Sequence, residues 1–206
     1  MHARFVDSLR VFRKAAYGRE WGALQETLSA LLTELELFQA LEIVVNRLQD
    51  YLPTFETYHP FESVKGRSLI GMIVQVTAFG FAPDMLPDEM PNNFDTPGSG
   101  QFALAVLEMN RAMQRDRDPA ERPGLFTSAL ANAILAELSE LYYRRHPGDY
   151  ARVRANVLDP QTGAYTDPEA AQIPIALWLD PEVAARDVTL WLRVADALEA
   201  KLKEVA

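Results

Sequence analysis

The stretch Glu20–Leu52, EWGALQETLSALLTELELFQALEIVVNRLQDYL, decides the fold class. Its apolar residues fall at Leu24, Leu28, Leu31, Leu35, Phe38, Leu41, Val45, Leu48 and Leu52, in alternating steps of three and four. That is the period of one helix face. Read as a single helix over 20–52, the stretch would run roughly 50 Å at about 1.5 Å per residue, so its stripe needs partners along the whole length. The expected architecture is all-α: a bundle of six to seven helices with one long helix at 20–52.

Working outward, 206 residues with 49% hydrophobic content suffice for one substantial core, and residues 1–206 read as a single domain. The most apolar run, Leu69 to Ala82, carries Gln75, Thr77 and two glycines, so it falls short of a membrane span and reads as a buried helix. The first 19 residues lack the continuous apolar region and small-residue cleavage site of a secretory signal, which leads to the expectation of a cytoplasmic protein. The absence of cysteine rules out disulfides, a thiolate zinc site and a cysteine nucleophile.

Charge is divided unevenly. Residues 1–19 hold Arg4, Arg10, Arg13, Lys14 and Arg19 against Asp7, a net +4, which leaves −13 of the total −9 on the remainder. Between 20 and 64, eight acids face Arg47 alone, a distribution that repels phosphate and argues against a nucleic-acid partner or an amino-terminal helix-turn-helix. The basic first helix, about Ala3 to Ala16, sets Phe5, Leu9, Phe12 and Ala16 on one face. It would suit an anionic surface, but amphipathic helices ordinarily pack on their own domain, and that reading is preferred.

Pro53 and Pro60 predict that the long helix ends or kinks near Tyr51. A further helix is expected over 65–81, followed by a proline-rich acidic loop at 81–100 whose Met85, Leu86 and Met90 either dock on the body or form a lid. Ser99 is the expected cap of a helix bearing Phe102, Val106, Met109 and Met113. Another helix is expected over 125–145, ended by His146-Pro147-Gly148, then a short one over 150–158. Asp159-Pro-Gln-Thr-Gly163 reads as a turn, with a small hairpin across it as the lesser alternative. Asp167-Pro168-Glu169 and Asp180-Pro181-Glu182 each predict a helix start, the second opening a last helix over 181–205.

No catalytic motif is assembled along the chain. Glu56-Thr-Tyr-His59 has the spacing of one di-iron half-site, but the matching position before His146 is Tyr143. A hydrolytic metal site using His59, His146 and nearby acids is therefore the weakest of the readings, and neither a metal nor a cofactor is expected. Gly98-Ser99-Gly100 could offer helix amides to a carboxylate or phosphate, although a plain helix start explains the same residues. Phe79, Phe81, Phe102, Met109, Met113, Tyr142, Tyr143, Trp178 and Trp191 could line an apolar ligand cavity or fill it.

The leading functional expectation is a helical interaction or adaptor protein, a homo-oligomer joined through its long apolar stripes. The alternative is a bundle that binds a small apolar ligand with loop 81–100 as lid. Arg10, Arg13 and Lys14, then Met85, Leu86 and Met90, are the expected contact residues.

Overall fold

A computed structural model describes residues 2–58, 60, 67, 70–71 and 96–205. Its helices are α1 (His2–Gly18), α2 (Trp21–Thr33), α3 (Leu37–Tyr58), α4 (Ser99–Met113), α5 (Arg122–Arg145), α6 (Pro147–Ala155), α7 (Ile173–Leu179) and α8 (Pro181–Val205), with a 3-10 turn at Ala170–Gln172 before α7. The fold is an all-α bundle. α5 is the central element, packing against α2, α3, α4, α6 and α8, while α1 lies on α2 and α8. No helix among the described residues is long and apolar enough to cross a membrane.

The single helix expected over 20–52 is two helices, broken at Glu34, Leu35 and Glu36. The periodicity hid the break because a turn of three residues returns the stripe nearly in phase. A local signal marks it: the Glu36 N–H bonds Gln39 Oε1 at 3.2 Å, half of a capping box, and the Glu34 and Leu35 N–H groups tighten the end of α2. Leu24, Leu28 and Leu31 are buried as the stripe demands, but Phe38 is 46% exposed.

α3 also passes through Pro53 instead of ending near Tyr51. Tyr51 and Phe55 flank the proline, both buried, and their rings sit 5.3 Å and 4.8 Å from that of Phe102 on α4. Tertiary packing on either side outweighs the local cost of the proline.

The helix expected over 65–81, the body of the 81–100 loop and His59 lie outside the described residues, apart from Arg67, Ile70 and Gly71 and the stretch 96–100. Ser99 is the first residue of α4, and its cap is Gly98. α5 begins at Arg122, three residues before the expected start, with Pro123 accommodated at its second position. α6 likewise starts early, on Pro147. Asp167 caps only the 3-10 turn, through the Ala170 N–H at 3.1 Å, so α7 opens later, at Ile173. Asp180 caps α8 as expected, accepting from the Glu182 and Val183 N–H groups at 2.9 and 3.0 Å. Of the stripe its sequence spacing gives, Trp191, Ala195 and Leu198 of α8 are buried, and the covered face widens to Val183, Asp187, Leu190 and Val194, while Ala184 and Val188 lie at its edge. Residues 157–166 form a short arm with one antiparallel bridge, Leu158 to Tyr165, closed at Gly163 (φ 67°).

Candidate functional site

The first helical corner positions one wall of the site. The Glu20 N–H bonds Ala15 O at 3.0 Å and the Arg19 N–H bonds Ala16 O at 3.2 Å, the two bonds of a Schellman stop, with Arg19 left-handed at φ 55° where glycine is usual. The Arg19 side chain explains this: its Nε donates to Asp187 Oδ2 at 3.1 Å, its Nη2 donates to Trp178 O at 2.9 Å, and its guanidinium lies over the Trp178 ring. Trp21 donates its indole N–H to the same Asp187 oxygen at 3.2 Å and meets Trp178 and Trp191 edge-on, each at 5.2 Å. Asp187 is fully buried; burial pushes its carboxyl above the ordinary value, and Arg19 and Trp21 oppose that only in part.

The opposite wall is set by the start of α4. Gly98 has φ 80°, and a Cβ there would stand 2.1 Å from the Ala136 carbonyl oxygen of α5, so only glycine permits this approach. The Ser99 N–H is satisfied by Thr96 O at 3.3 Å and the Phe102 N–H by Gly98 O at 2.9 Å. Gly98 has no side chain to cap the helix, and among the described residues the N–H groups of Gly100 and Gln101 have no partner.

Between these walls runs a cleft over the face of α5 formed by Leu135, Ser139 and Tyr143. One part, about 330 Å³, is bordered by Gly100, Gln101, Ser139, Tyr143, Tyr150 and Trp178. A second depression, about 480 Å³, shares Leu135 and Trp178 with it and continues to Arg19, Trp21 and Gln25. Ser139 and Tyr143 are each only 8% exposed, and neither hydroxyl has a hydrogen-bond partner among the described residues. Burial also raises the Tyr143 hydroxyl, with Asp149 adding to it, so it stays a neutral donor. Among the described residues no Asp or Glu borders either part of the cleft, in a chain of net charge −9.

Of the contact residues expected from sequence, Arg10, Arg13 and Lys14 lie on α1, away from the cleft. Arg13 binds Asp196 at 2.7 Å and Glu199 at 2.8 Å on α8, Arg10 pairs with Asp7, and Lys14 is exposed. Arg10 borders an open groove between α1 and α2 whose charged groups stand in water. Met85, Leu86 and Met90 fall outside the described residues. His146 stacks on Tyr142 at 4.5 Å, and among the described residues no three His, Asp or Glu side chains gather into a metal set. Phe102, Met109 and Trp191 fill the core, and among the described residues of the aromatic set expected to line a cavity Tyr143 and Trp178 border an open one.

Sequence reasoning missed Ser139, Gln101 and Tyr150 as neighbours. The available signal was the row Leu135, Ser139, Tyr143 at steps of four, which puts two hydroxyls on one helix face. No family model matches the chain, and neither a curated protein nor a solved structure matches it.

Proposed function

We propose that this chain is a helical binding protein whose ligand site is the cleft over α5. The observation that carries the reading is the pair Ser139 and Tyr143. Both side chains are largely covered, and their hydroxyls, unpartnered among the described residues, border the open cleft, where a ligand's polar group can replace water. The aromatic rims, Tyr150 on one side and Trp178 on the other, supply the apolar contact that small-molecule clefts use, and the volume lies in their usual range. Among the described residues the cleft borders hold neither histidine nor carboxylate to act as a base on Ser139, which supports binding over acyl transfer.

The three tryptophans make the test internal to the protein. Aromatic fragments should displace the indole N–H resonance of Trp178, which borders the cleft, and leave that of Trp191, which is fully buried. Leucine at Ser139 would fill the cleft and abolish the Trp178 response while the rest of the spectrum stays in place. Fragments that move no indole resonance, or that move Trp178 equally in the Ser139→Leu variant, would overturn the reading.

Self-association keeps a second, separate support. The stripes of α2, α3 and α8 are buried within the chain, but Ile175 and Leu179, one turn apart on α7, are 53% and 77% exposed. A second copy meeting this face would give a dimer in light scattering that Leu179→Asp dissociates; a monomer at all concentrations would remove the reading.

A further inference from the structure

Ser139 and Tyr143 share their cleft with two groups that also lack partners among the described residues, the N–H donors of Gly100 and Gln101 at the start of α4. We infer that the cleft is a site for small organic acids, with the ligand carboxylate at the α4 amino terminus and its aromatic or apolar body along Trp178 toward Trp21. This rests on the cleft being a ligand site.

The donor set points to the charge. Two amides and two hydroxyls offer four donors from groups that are themselves neutral, and a carboxylate has about four lone-pair positions to receive them. The start of a 15-residue helix adds positive potential where those amides point. Among the described residues no carboxylate borders the cleft to repel an anion, and Asp149, which bears on the Tyr143 hydroxyl, is itself engaged by the Tyr142 hydroxyl at 3.0 Å. A phosphate dianion is less well served, because the nearest cation on the cleft wall, Arg19, is held by Asp187 and Trp178 O. A cationic ligand finds only the ring faces of Trp178 and Tyr150, with donors where it would need acceptors.

The body of the ligand has a direction as well. Gly100 and Ser139 border the first depression, Trp21 and Gln25 the second, and Leu135 and Trp178 stand on the border of both. An acid whose carboxylate is separated from an aromatic system by one or two carbons matches that order of polar and aromatic borders.

The experiment compares 2-naphthylacetate with its neutral counterpart 2-naphthylacetamide by calorimetry at pH 7, on the whole chain. The acid should bind at least tenfold more tightly in the wild type. Gly100→Pro deletes one amide donor, and it is built to fold: nothing lies within 4 Å of a Cβ at Gly100, and α5 and α7 already carry proline at their second positions. It should bring the acid to within threefold of the amide without weakening the amide. Ser139→Ala and Tyr143→Phe, which remove one hydroxyl each, should lower acid binding three- to tenfold with the fold intact. Equal binding of acid and amide in the wild type would overturn the inference while leaving the cleft a ligand site. Failure of both probes to bind would overturn both readings. Displacement of the acid by millimolar inorganic phosphate would replace the carboxylate assignment with a general oxyanion site.

Discussion

Arg19 donates its Nε–H to Asp187 Oδ2 across 3.1 Å, and this bond ties the first helical corner of the chain to its last helix. Asp187 is fully buried and its second oxygen has no hydrogen-bond partner among the described residues, so the guanidinium is its main counter-charge. Arg19→Ala leaves the left-handed backbone as it is and deletes only the side chain. The expected cost at pH 7 is about 3 kcal/mol, as for a buried ion that loses its partner. At 2–4 °C per kcal/mol for a chain of this size, that is a fall in Tm of roughly 10 °C.

The pH dependence of that cost has a defined sign. An acid whose folded value is raised adds stability below its ordinary titration range and loses it as pH rises through the raised value. The penalty of Arg19→Ala should therefore shrink as pH is lowered from 7 to about 4, because a protonated Asp187 no longer needs the guanidinium. Urea denaturation of both proteins at the two pH values measures this; a penalty independent of pH would contradict it.

Glu137 behaves in the opposite way. Burial alone would push its carboxyl up, but Arg47 of α3 and Arg186 of α8 both bond it and hold it below the ordinary glutamate value. Glu137→Gln should cost about 3 kcal/mol, since Arg47 is only 6% exposed and would keep as its anion only the more distant, solvent-exposed Asp50 at 3.7 Å. A depressed acid contributes stability above its ordinary range and loses it as pH falls through the folded value. The wild-type advantage over Glu137→Gln should accordingly disappear on acidification below about pH 4 in a thermal melt series.

Gly98 and Gly100, two residues apart, should respond in opposite directions to alanine. At Gly98 the left-handed conformation costs about 1–3 kcal/mol for any other residue, and the Ala136 carbonyl adds a collision. At Gly100 there is open space, and alanine should be neutral or stabilising by up to about 1 kcal/mol. Melting temperatures of the two single variants check this, and similar values for both would contradict the packing of α4 on α5.

Asp180 joins two elements through one oxygen. Arg145 of α5 donates to Oδ1 at 2.8 Å, and the same oxygen accepts the first amides of α8. The Arg145 bond first, then those amides, hold its carboxyl below the ordinary value. Asp180→Ala should cost about 1–2 kcal/mol, and Asp180→Asn, which keeps a cap without the charge, roughly half of that by the same melting measurement.

What could be read from the chain follows the range over which each signal acts. The bounds of α8 were legible because Asp180-Pro181-Glu182 is a local device, and the stripe of Leu24, Leu28 and Leu31 was legible because burial repeats with the helix. The break at Glu34–Glu36 was not, since an in-phase turn leaves the period intact, and only Gln39 marks it. The continuation of α3 through Pro53 depends on Phe102, which lies 49 residues further on. The Gly98-Ser99-Gly100 step was visible as a candidate for anions. Its partners were not, because Ser139 and Tyr143 come from α5, and the spacing of residues gives a face without saying what stands opposite.

The most direct test of the carboxylate site is a ¹H–¹⁵N titration of the labelled protein with 2-naphthylacetate. The amide resonances of Gly100 and Gln101 should move downfield and saturate at the same concentration as the Trp178 indole, while those of Arg10 and Arg13 on α1 stay fixed. Shifts confined to α1, or Trp178 responding with Gly100 and Gln101 unmoved, would contradict the account.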